Sequence, residues 1–394
     1  MMRGTAMTIV VTGGGSGGHI TPILAVAHAL KRIQPGLKIV YIGQKGDKLI
    51  DIPAADPAVD AVYAVPAGKF RRYHGEGFRQ LLDVPTQVRN VRDGFRVLAG
   101  LWQSYWLLRK LKPSVIFTRG GFVSVPVALG GKLNGIPYIT HDSDSVPSLA
   151  NRIIARWASL HAVALPEEVY PYPRTKTKMV GIPLNADYQP VTPAIAKQLK
   201  HQVGIKPDAQ LLLVTGGGNG AEGLNQAVAE NTPYLLKKYP KLHVAHIAGR
   251  ALEKQLSNVY DKLLPAETRK RVEVIGFTTD FVQYSGAADV IIARGGATNL
   301  AEFAVQGKAC IIVPAEQLVG GHQVKNAQVL ADRGAIELFT QAQAEQERRL
   351  GLAVGELLDN PEKRAELGKH LATFAKTDAA HVLSMVLLEI ANAK

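Results

Sequence analysis

The feature that most constrains this chain is a device that occurs twice. Ile9-Val10-Val11-Thr12 runs into Gly13-Gly14-Gly15-Ser16-Gly17-Gly18, and Leu212-Leu213-Val214-Thr215 runs into Gly216-Gly217-Gly218-Asn219-Gly220. An amphipathic helical pattern follows each loop: Ile23-Leu24-Val26-Ala27-Leu30 in the first half, Leu224-Ala227-Val228 in the second. A short apolar strand, a glycine turn and then a helix is how a nucleotide-binding α/β domain begins. The turn lets phosphate approach backbone N–H groups at a helix N-terminus. Two copies in 394 residues predict two such domains.

Further apolar strands alternate with helical stretches: 39–42, 115–118 and 138–140, then 243–247, 272–275, 290–293 and 309–313. This alternation predicts parallel sheets with helices on their faces, the doubly wound Rossmann-like arrangement. Residues 181–193, with Pro183, Pro190 and Pro193 and no clear period, read as the linker. The expected domains are therefore 7–185 and 194–375. A last helix in 376–394 carries Val382, Leu383, Val386, Leu387 and Ile390 on one stripe, which must pack on something and has the first domain as a candidate.

A lone cysteine, Cys310, excludes an intramolecular disulfide, and the apolar run 309–313 around it predicts a buried strand residue. The first eleven residues offer a strand instead of a signal peptide's apolar run. The most apolar segment, 120–139, is interrupted by Pro126, Lys132, Gly135 and Pro137, so no spanning helix is expected. The net charge of +13 draws the protein to polyanions. More than half of that excess lies in 66–112, where ten lysines and arginines stand against three acids, interleaved with Phe70, Tyr73, Phe78, Phe95, Trp102, Tyr105 and Trp106. Such a mixture suits an anionic membrane surface. Trp102 and Trp106, four apart, are expected in the helix core. With no RNA-recognition signature and no zinc-finger spacing, nucleic acid is not an expected partner.

Gly13, Gly15 and Gly18 satisfy the dinucleotide fingerprint, but the second strand ends in Gly43-Gln44-Lys45, without the acid that would read a ribose. Neither glycine loop is followed by Lys-Ser or Lys-Thr, which excludes a P-loop. His19 comes directly after the first loop, at a helix start, where an imidazole serves either as a general base or as a local packing group.

The blocks 14–19 (Gly-Gly-Ser-Gly-Gly-His), 120–126 (Gly-Gly-Phe-Val-Ser-Val-Pro), Gly135-Ile136-Pro137, 141–147 (His-Asp-Ser-Asp-Ser-Val-Pro), Arg294-Gly295-Gly296-Ala297, Leu300-Ala301-Glu302, His322-Gln323 and Asn326-Ala327 occur in that order. In them the chain resembles the MurG family of lipid I N-acetylglucosaminyltransferases of peptidoglycan synthesis, within glycosyltransferase family 28. The resemblance implies a GT-B fold, two Rossmann-like domains facing a cleft, with UDP-GlcNAc bound mainly by the second domain and the lipid-linked acceptor by the first. It implies an inverting, metal-independent transfer to the muramyl 4-hydroxyl of lipid I, with no cofactor, by a peripheral protein on the cytoplasmic face of the cell membrane.

By the same resemblance His19 is the catalytic base, and Ser16, Gly17, Gly18, Asp144, Asn185, Gly218, Thr278, Glu302, His322 and Gln323 are donor contacts. Glu302 is expected on the ribose hydroxyls and Thr278 near uracil. Lys69, Arg71, Arg72, His141 and Asp142 fall on the acceptor or membrane side, and the 142–144 triplet as a whole reads as orienting a hydroxyl or sugar. The chain departs from the family pattern at Gly218, usually serine, at 141–144, usually His-Glu-Gln-Asn, and at Asn185, usually arginine. A UDP-hexose:diacylglycerol glycosyltransferase and a non-catalytic UDP-sugar-binding protein remain as alternatives.

Overall fold

A computed structural model of the chain describes residues 7–14, 17–69, 84–218, 220–317 and 321–393. They form two compact units: the first comprises residues up to Ala186 together with Lys376 onward, the second Asp187–Ala375.

The first unit is built on seven strands: β1 (Thr8–Thr12), β2 (Lys38–Gln44), β3 (Ala61–Val65), β4 (Val115–Thr118), β5 (Tyr138–Asp142), β6 (Leu160–Val163) and β7 (Thr177–Met179). Their order is β3-β2-β1-β4-β5-β6-β7, and every pair is parallel. The second unit has β8 (Gln210–Thr215), β9 (Leu242–Ile247), β10 (Val272–Ile275), β11 (Val290–Ala293), β12 (Cys310–Ile312) and β13 (Glu337–Leu338). Its order is β10-β9-β8-β11-β12-β13, again all parallel. Both sheets are doubly wound, with the direction of winding reversing at β1/β4 and at β8/β11.

A parallel sheet is covered on both faces, so its strands read as continuous apolar runs and successive residues feed opposite cores. Ile9 and Val11 pack with Ile23, Val26 and Leu30 of helix Gly17–Ile33, whereas Val10 packs with Leu108, Val123 and Val127. In the second unit Leu212 and Val214 face helix Glu222–Lys238, and Leu211 and Leu213 face Phe303 and Leu330. Cys310 is wholly buried on β12.

Helix Ala379–Asn392, last in the chain, belongs to the first unit. Leu383, Val386 and Leu387 join the core of helix Gly17–Ile33, and Ser384 Oγ donates to Ala380 O at 2.7 Å. Burying a leucine of this kind stabilises by roughly 1.5–3 kcal/mol, enough to hold an otherwise marginal terminal helix in place.

Helix Val84–Leu111 reverses the usual amphipathic sense. Most of the residues it turns inward are small or polar, Thr86, Asp93, Gly100 and Ser104, with Leu108 an apolar exception near its end. Its outward stripe is Val88, Val91, Phe95, Leu98, Trp102 and Trp106, with Phe95 at 69%, Trp102 at 67% and Trp106 at 52% exposure. This corrects the expectation that the two tryptophans are core. The seven-residue apolar spacing is that of a buried seam, but close approach of the backbone to 66–68 and to helix Ser124–Leu133 claims the opposite face, which carries Gly100 and Ser104.

Candidate functional site

In open parallel sheets the ligand crevice forms where the winding reverses, at the carboxyl ends of the two strands flanking that point. The glycine loops lie there in both units.

In the first unit, Gly13 and Gly14 leave β1 and Gly120 and Gly121 follow β4. Gly120 and Gly121 have φ of +86° and +85°. A Cβ on Gly121 would stand 2.8 Å from Gly14 O, so the two turns are in backbone contact and only glycine permits it. Tyr41 closes the loop from β2 by donating its hydroxyl to Gly13 O. Helix Gly17–Ile33 then begins, with His19 as its third residue. Ser16, Arg71, Arg72 and the side chain of His19 lie outside the described residues. Lys69 is exposed, and its ammonium stands 5.7 Å from the centre of the Phe122 ring, beside the second turn.

The 141–144 segment leaves β5 alongside. His141 is buried with both ring nitrogens engaged: Nδ1 is 2.8 Å from Arg119 Nη1 and Nε2 is 2.8 Å from Gly181 O. Burial, and then the Arg119 charge, push its pKa down to about 3, so the ring is neutral. Asp142 is also buried. Its Oδ1 accepts from Asn151 Nδ2 at 2.9 Å and from Ser148 N–H at 3.3 Å, and its Oδ2 accepts from Tyr172 OH at 2.7 Å. These two residues therefore shape the segment from inside the unit, while Asp144 is the half-buried acid of the triplet. Asn185 is exposed and belongs to the first unit.

In the second unit, the loop after β8 turns at Gly217 and Gly220, with φ of +81° and +75°. Gly217 N–H donates to Thr215 Oγ1 at 3.2 Å, and the loop delivers the chain to helix Glu222–Lys238. Gly218 is exposed, and a Cβ added there would meet no atom within 4 Å. Across the reversal point, Gly295 is clamped by the first turn of helix His322–Ala331: a Cβ on it would lie 2.6 Å from Gln323 O. Asn326 Nδ2 donates to Gly295 O at 3.4 Å, and Gln323 Oε1 accepts from Ala315 N–H at 3.0 Å. His322 is the first residue of that helix. The second unit thus brings Gly218, Gln323, His322 and Glu302 to elements bordering one crevice, while Thr278 lies two strands away on the loop after β10, where its Oγ1 accepts from Asp280 N–H at 2.9 Å. Beside Thr278, the Arg250 guanidinium lies 4.0 Å from the centre of the Phe277 ring.

Glu302 lies on helix Ala297–Gln306 and is only 7% exposed. Burial pushes its pKa up to about 8, partly offset by a hydrogen bond from the Tyr188 hydroxyl. Tyr188 was not singled out from the sequence. Its signal was an aromatic residue in an otherwise proline-punctuated linker. Arg119 was missed too, although Thr118-Arg119-Gly120-Gly121 repeats the Ala293-Arg294-Gly295-Gly296 of the second half.

Two doubly wound parallel-sheet units, each with a glycine loop at its reversal point, make this a GT-B fold, the architecture of a large class of glycosyltransferases. Residues 9–163 match the glycosyltransferase family 28 N-terminal domain and residues 211–383 the glycosyltransferase family 28 C-terminal domain. Two curated relatives are named UDP-N-acetylglucosamine–N-acetylmuramyl-(pentapeptide) pyrophosphoryl-undecaprenol N-acetylglucosamine transferase. The one from Desulfitobacterium hafniense (strain Y51) is 29% identical over 98% of this chain and 100% of the relative. The one from Bacillus thuringiensis (strain Al Hakam), which carries that name with the number 3, is 33% identical over 83% of this chain and 84% of the relative. Among solved structures, MurG of Acinetobacter baumannii superposes with a TM-score of 0.72 at 21% identity, covering 98% of this chain and 100% of that one. The UDP-GlcNAc 2-epimerase of Neisseria meningitidis bound to UDP-GlcNAc gives 0.65 at 13% identity, covering 97% and 100%. This chain belongs to the MurG family of N-acetylglucosaminyltransferases, within glycosyltransferase family 28.

Proposed function

We propose that this protein transfers N-acetylglucosamine from UDP-GlcNAc to the 4-hydroxyl of MurNAc in undecaprenyl-diphosphoryl-MurNAc-pentapeptide, lipid I, forming lipid II. The observation that carries this reading is the match to curated relatives of that name, over 98% of this chain for one and 83% for the other. The acceptor oxygen attacks the anomeric carbon, the bond to the UDP oxygen breaks, and its electron pair leaves on the diphosphate. His19, three residues into helix Gly17–Ile33, takes the hydroxyl proton. The N–H groups of 216–220 and the start of helix Glu222–Lys238 supply positive potential to the leaving diphosphate. Glu302 binds the ribose hydroxyls, Thr278 lies beside uracil, and His322 and Gln323 border the donor sugar.

The protein works as a peripheral protein on the cytoplasmic, anionic leaflet of the membrane. Among the described residues no helix is long and apolar enough to span it. The outward stripe of helix Val84–Leu111, flanked by Arg89, Arg92, Arg96, Arg109 and Lys110, offers apolar area with positive charge beside it, which is the chemistry of an anionic lipid surface.

The test is UDP release from UDP-GlcNAc with a soluble lipid I analogue, beside UDP-glucose with diacylglycerol, for wild type and His19→Ala, with EDTA present. Release with the lipid I analogue alone, lost in the variant while UDP affinity is kept, is expected. Release only with diacylglycerol would move the protein to glycolipid synthesis, and none with either would leave a binding protein.

A further inference from the structure

We propose that His246 and Asn225 are positioning residues of the donor side: the imidazole fixes the Asn225 amide, and the amide fixes the Ala248 carbonyl on which the glycine loop after β8 is seated. The inference rests on the transferase reading above, in which the N–H groups of 216–220 meet the donor diphosphate.

His246 is fully buried on β9, beside Val214 of β8, on the face of the sheet whose core holds Leu224, Val228 and Val244. A polar ring in such a place costs stability unless its nitrogens are hydrogen-bonded. Both are: Nε2 is 3.1 Å from Asn225 Oδ1, and Nδ1 is 2.8 Å from Tyr260 OH. Asn225, buried on helix Glu222–Lys238, donates from Nδ2 to Ala248 O at 3.1 Å. That bond sets which way the amide points. Because an amide oxygen only accepts, Nε2 carries the ring proton and Nδ1 accepts from the Tyr260 hydroxyl. One tautomer and one amide orientation satisfy the whole series.

The last link is the glycine loop. Ala248 follows β9, its N–H donating to Ile275 O at 2.8 Å, and its carbonyl lies against Gly220: a Cβ on Gly220 would stand 2.1 Å from Ala248 O, at a φ of +75°. Gly220 N–H donates to Gly217 O at 2.9 Å, so the seat of Gly220 sets the turn as a whole. The first unit holds its loop from the same register position. Tyr41 pairs with Val11 there as His246 pairs with Val214 here, each beside the residue that precedes the strand's last threonine, and Tyr41 donates its hydroxyl to Gly13 O. In both units a ring on the neighbouring strand holds the glycine loop, directly in the first and through Asn225 in the second.

The test uses the full-length protein, with UDP affinity measured by calorimetry and uridine affinity by saturation-transfer NMR. Uridine carries the base and ribose without the diphosphate, so it separates the loop from the rest of the donor site. His246→Leu and Asn225→Ala are each expected to weaken UDP binding about tenfold and to leave uridine binding unchanged. His246→Gln, whose side-chain amide keeps a donor toward Asn225 Oδ1, should recover most of that loss. The double variant His246→Leu/Asn225→Ala should bind UDP no more weakly than Asn225→Ala, because the ring acts through the amide. UDP affinity unchanged in His246→Leu, or lost in step with uridine affinity, overturns the proposal, as does a double variant whose losses multiply. If His246→Leu fails to fold, as judged by its melting transition, Asn225→Ala decides by the same two affinities. UDP binding by the wild type without transfer to the lipid I analogue would overturn only the transferase reading; no UDP binding would overturn both.

Discussion

Arg119 and Arg294 occupy the same backbone position in the two units. Arg119 N–H donates to Thr12 O at 3.1 Å, and Arg294 N–H donates to Thr215 O at 3.3 Å, the acceptors being the last residues of β1 and β8. Each bond ties the strands flanking the reversal point together just where a glycine turn leaves them. The crevice floor of both units is thus made by one backbone arrangement used twice, and the side chains added to it distinguish the two.

Glu302 makes the second unit sensitive to pH. Its folded pKa of about 8 lies above the ordinary 4.5 because burial disfavours the carboxylate. A raised folded pKa contributes stability that is fully present below about pH 4.5 and is lost as pH rises through about 8. Thermal melts of the unliganded protein should therefore show a decline between pH 5 and about 8.5 that Glu302→Gln flattens. Tyr188→Phe removes the hydroxyl that supports the carboxylate, so the decline should start at the same pH and extend to higher pH; a decline unchanged by both substitutions would refute this account.

The two glycine loops should fail separately. Gly121→Ala places a methyl 2.8 Å from Gly14 O at a φ of +85°, and Gly220→Ala places one 2.1 Å from Ala248 O at +75°. Each should destabilise by about 1–3 kcal/mol. UDP affinity should fall for Gly220→Ala and hold for Gly121→Ala. Gly218→Ser meets open space, so its melting temperature should match wild type within about 2 °C.

Trp102 and Trp106 should be dispensable for folding. At 67% and 52% exposure, replacing either by alanine should change stability by no more than about 0.5 kcal/mol. Wild-type tryptophan emission should shift to the blue on vesicles containing phosphatidylglycerol, and the shift should weaken as salt is raised. A loss of several kcal/mol on Trp102→Ala would show that the stripe is structural.

His246 should contribute to acid lability. It is fully buried between Tyr260 OH at 2.8 Å and Asn225 Oδ1 at 3.1 Å, and burial pushes its pKa down to about 3. The unfolded chain protonates this ring near pH 6.5 while the folded chain resists, so the contribution is complete above that pH and is lost progressively toward pH 3. The slope should approach about 1.4 kcal/mol per pH unit for the group. Denaturant midpoints at pH 7.5 and 5 should converge in His246→Gln relative to wild type.

What the sequence by itself determined is local. Strand, glycine loop and helix at 9–30 and 212–228, and the apolar runs of β4, β11 and β12, follow from near-neighbour periodicity, because a parallel strand needs apolar side chains on both faces and a tight turn needs glycine. Their repetition also pointed to two domains, and the ordered motifs at 14–19, 120–126, 141–147 and 294–297 carried the resemblance to the family. The tertiary structure decided everything that depends on which faces meet. A seven-residue stripe through Val88, Phe95 and Trp102 has the same periodicity whether it faces core or solvent, and only the close packing of the opposite face turned it outward. Arg119 meets His141 and Ser143, more than twenty residues away, because a crossover helix separates β4 from β5 while their carboxyl ends lie side by side. Tyr188 meets Glu302 for the same reason: a helix that follows β11 carries the glutamate back to the segment preceding β8. Contacts between distant residues arise from chain closure in three dimensions, which local periodicity does not encode.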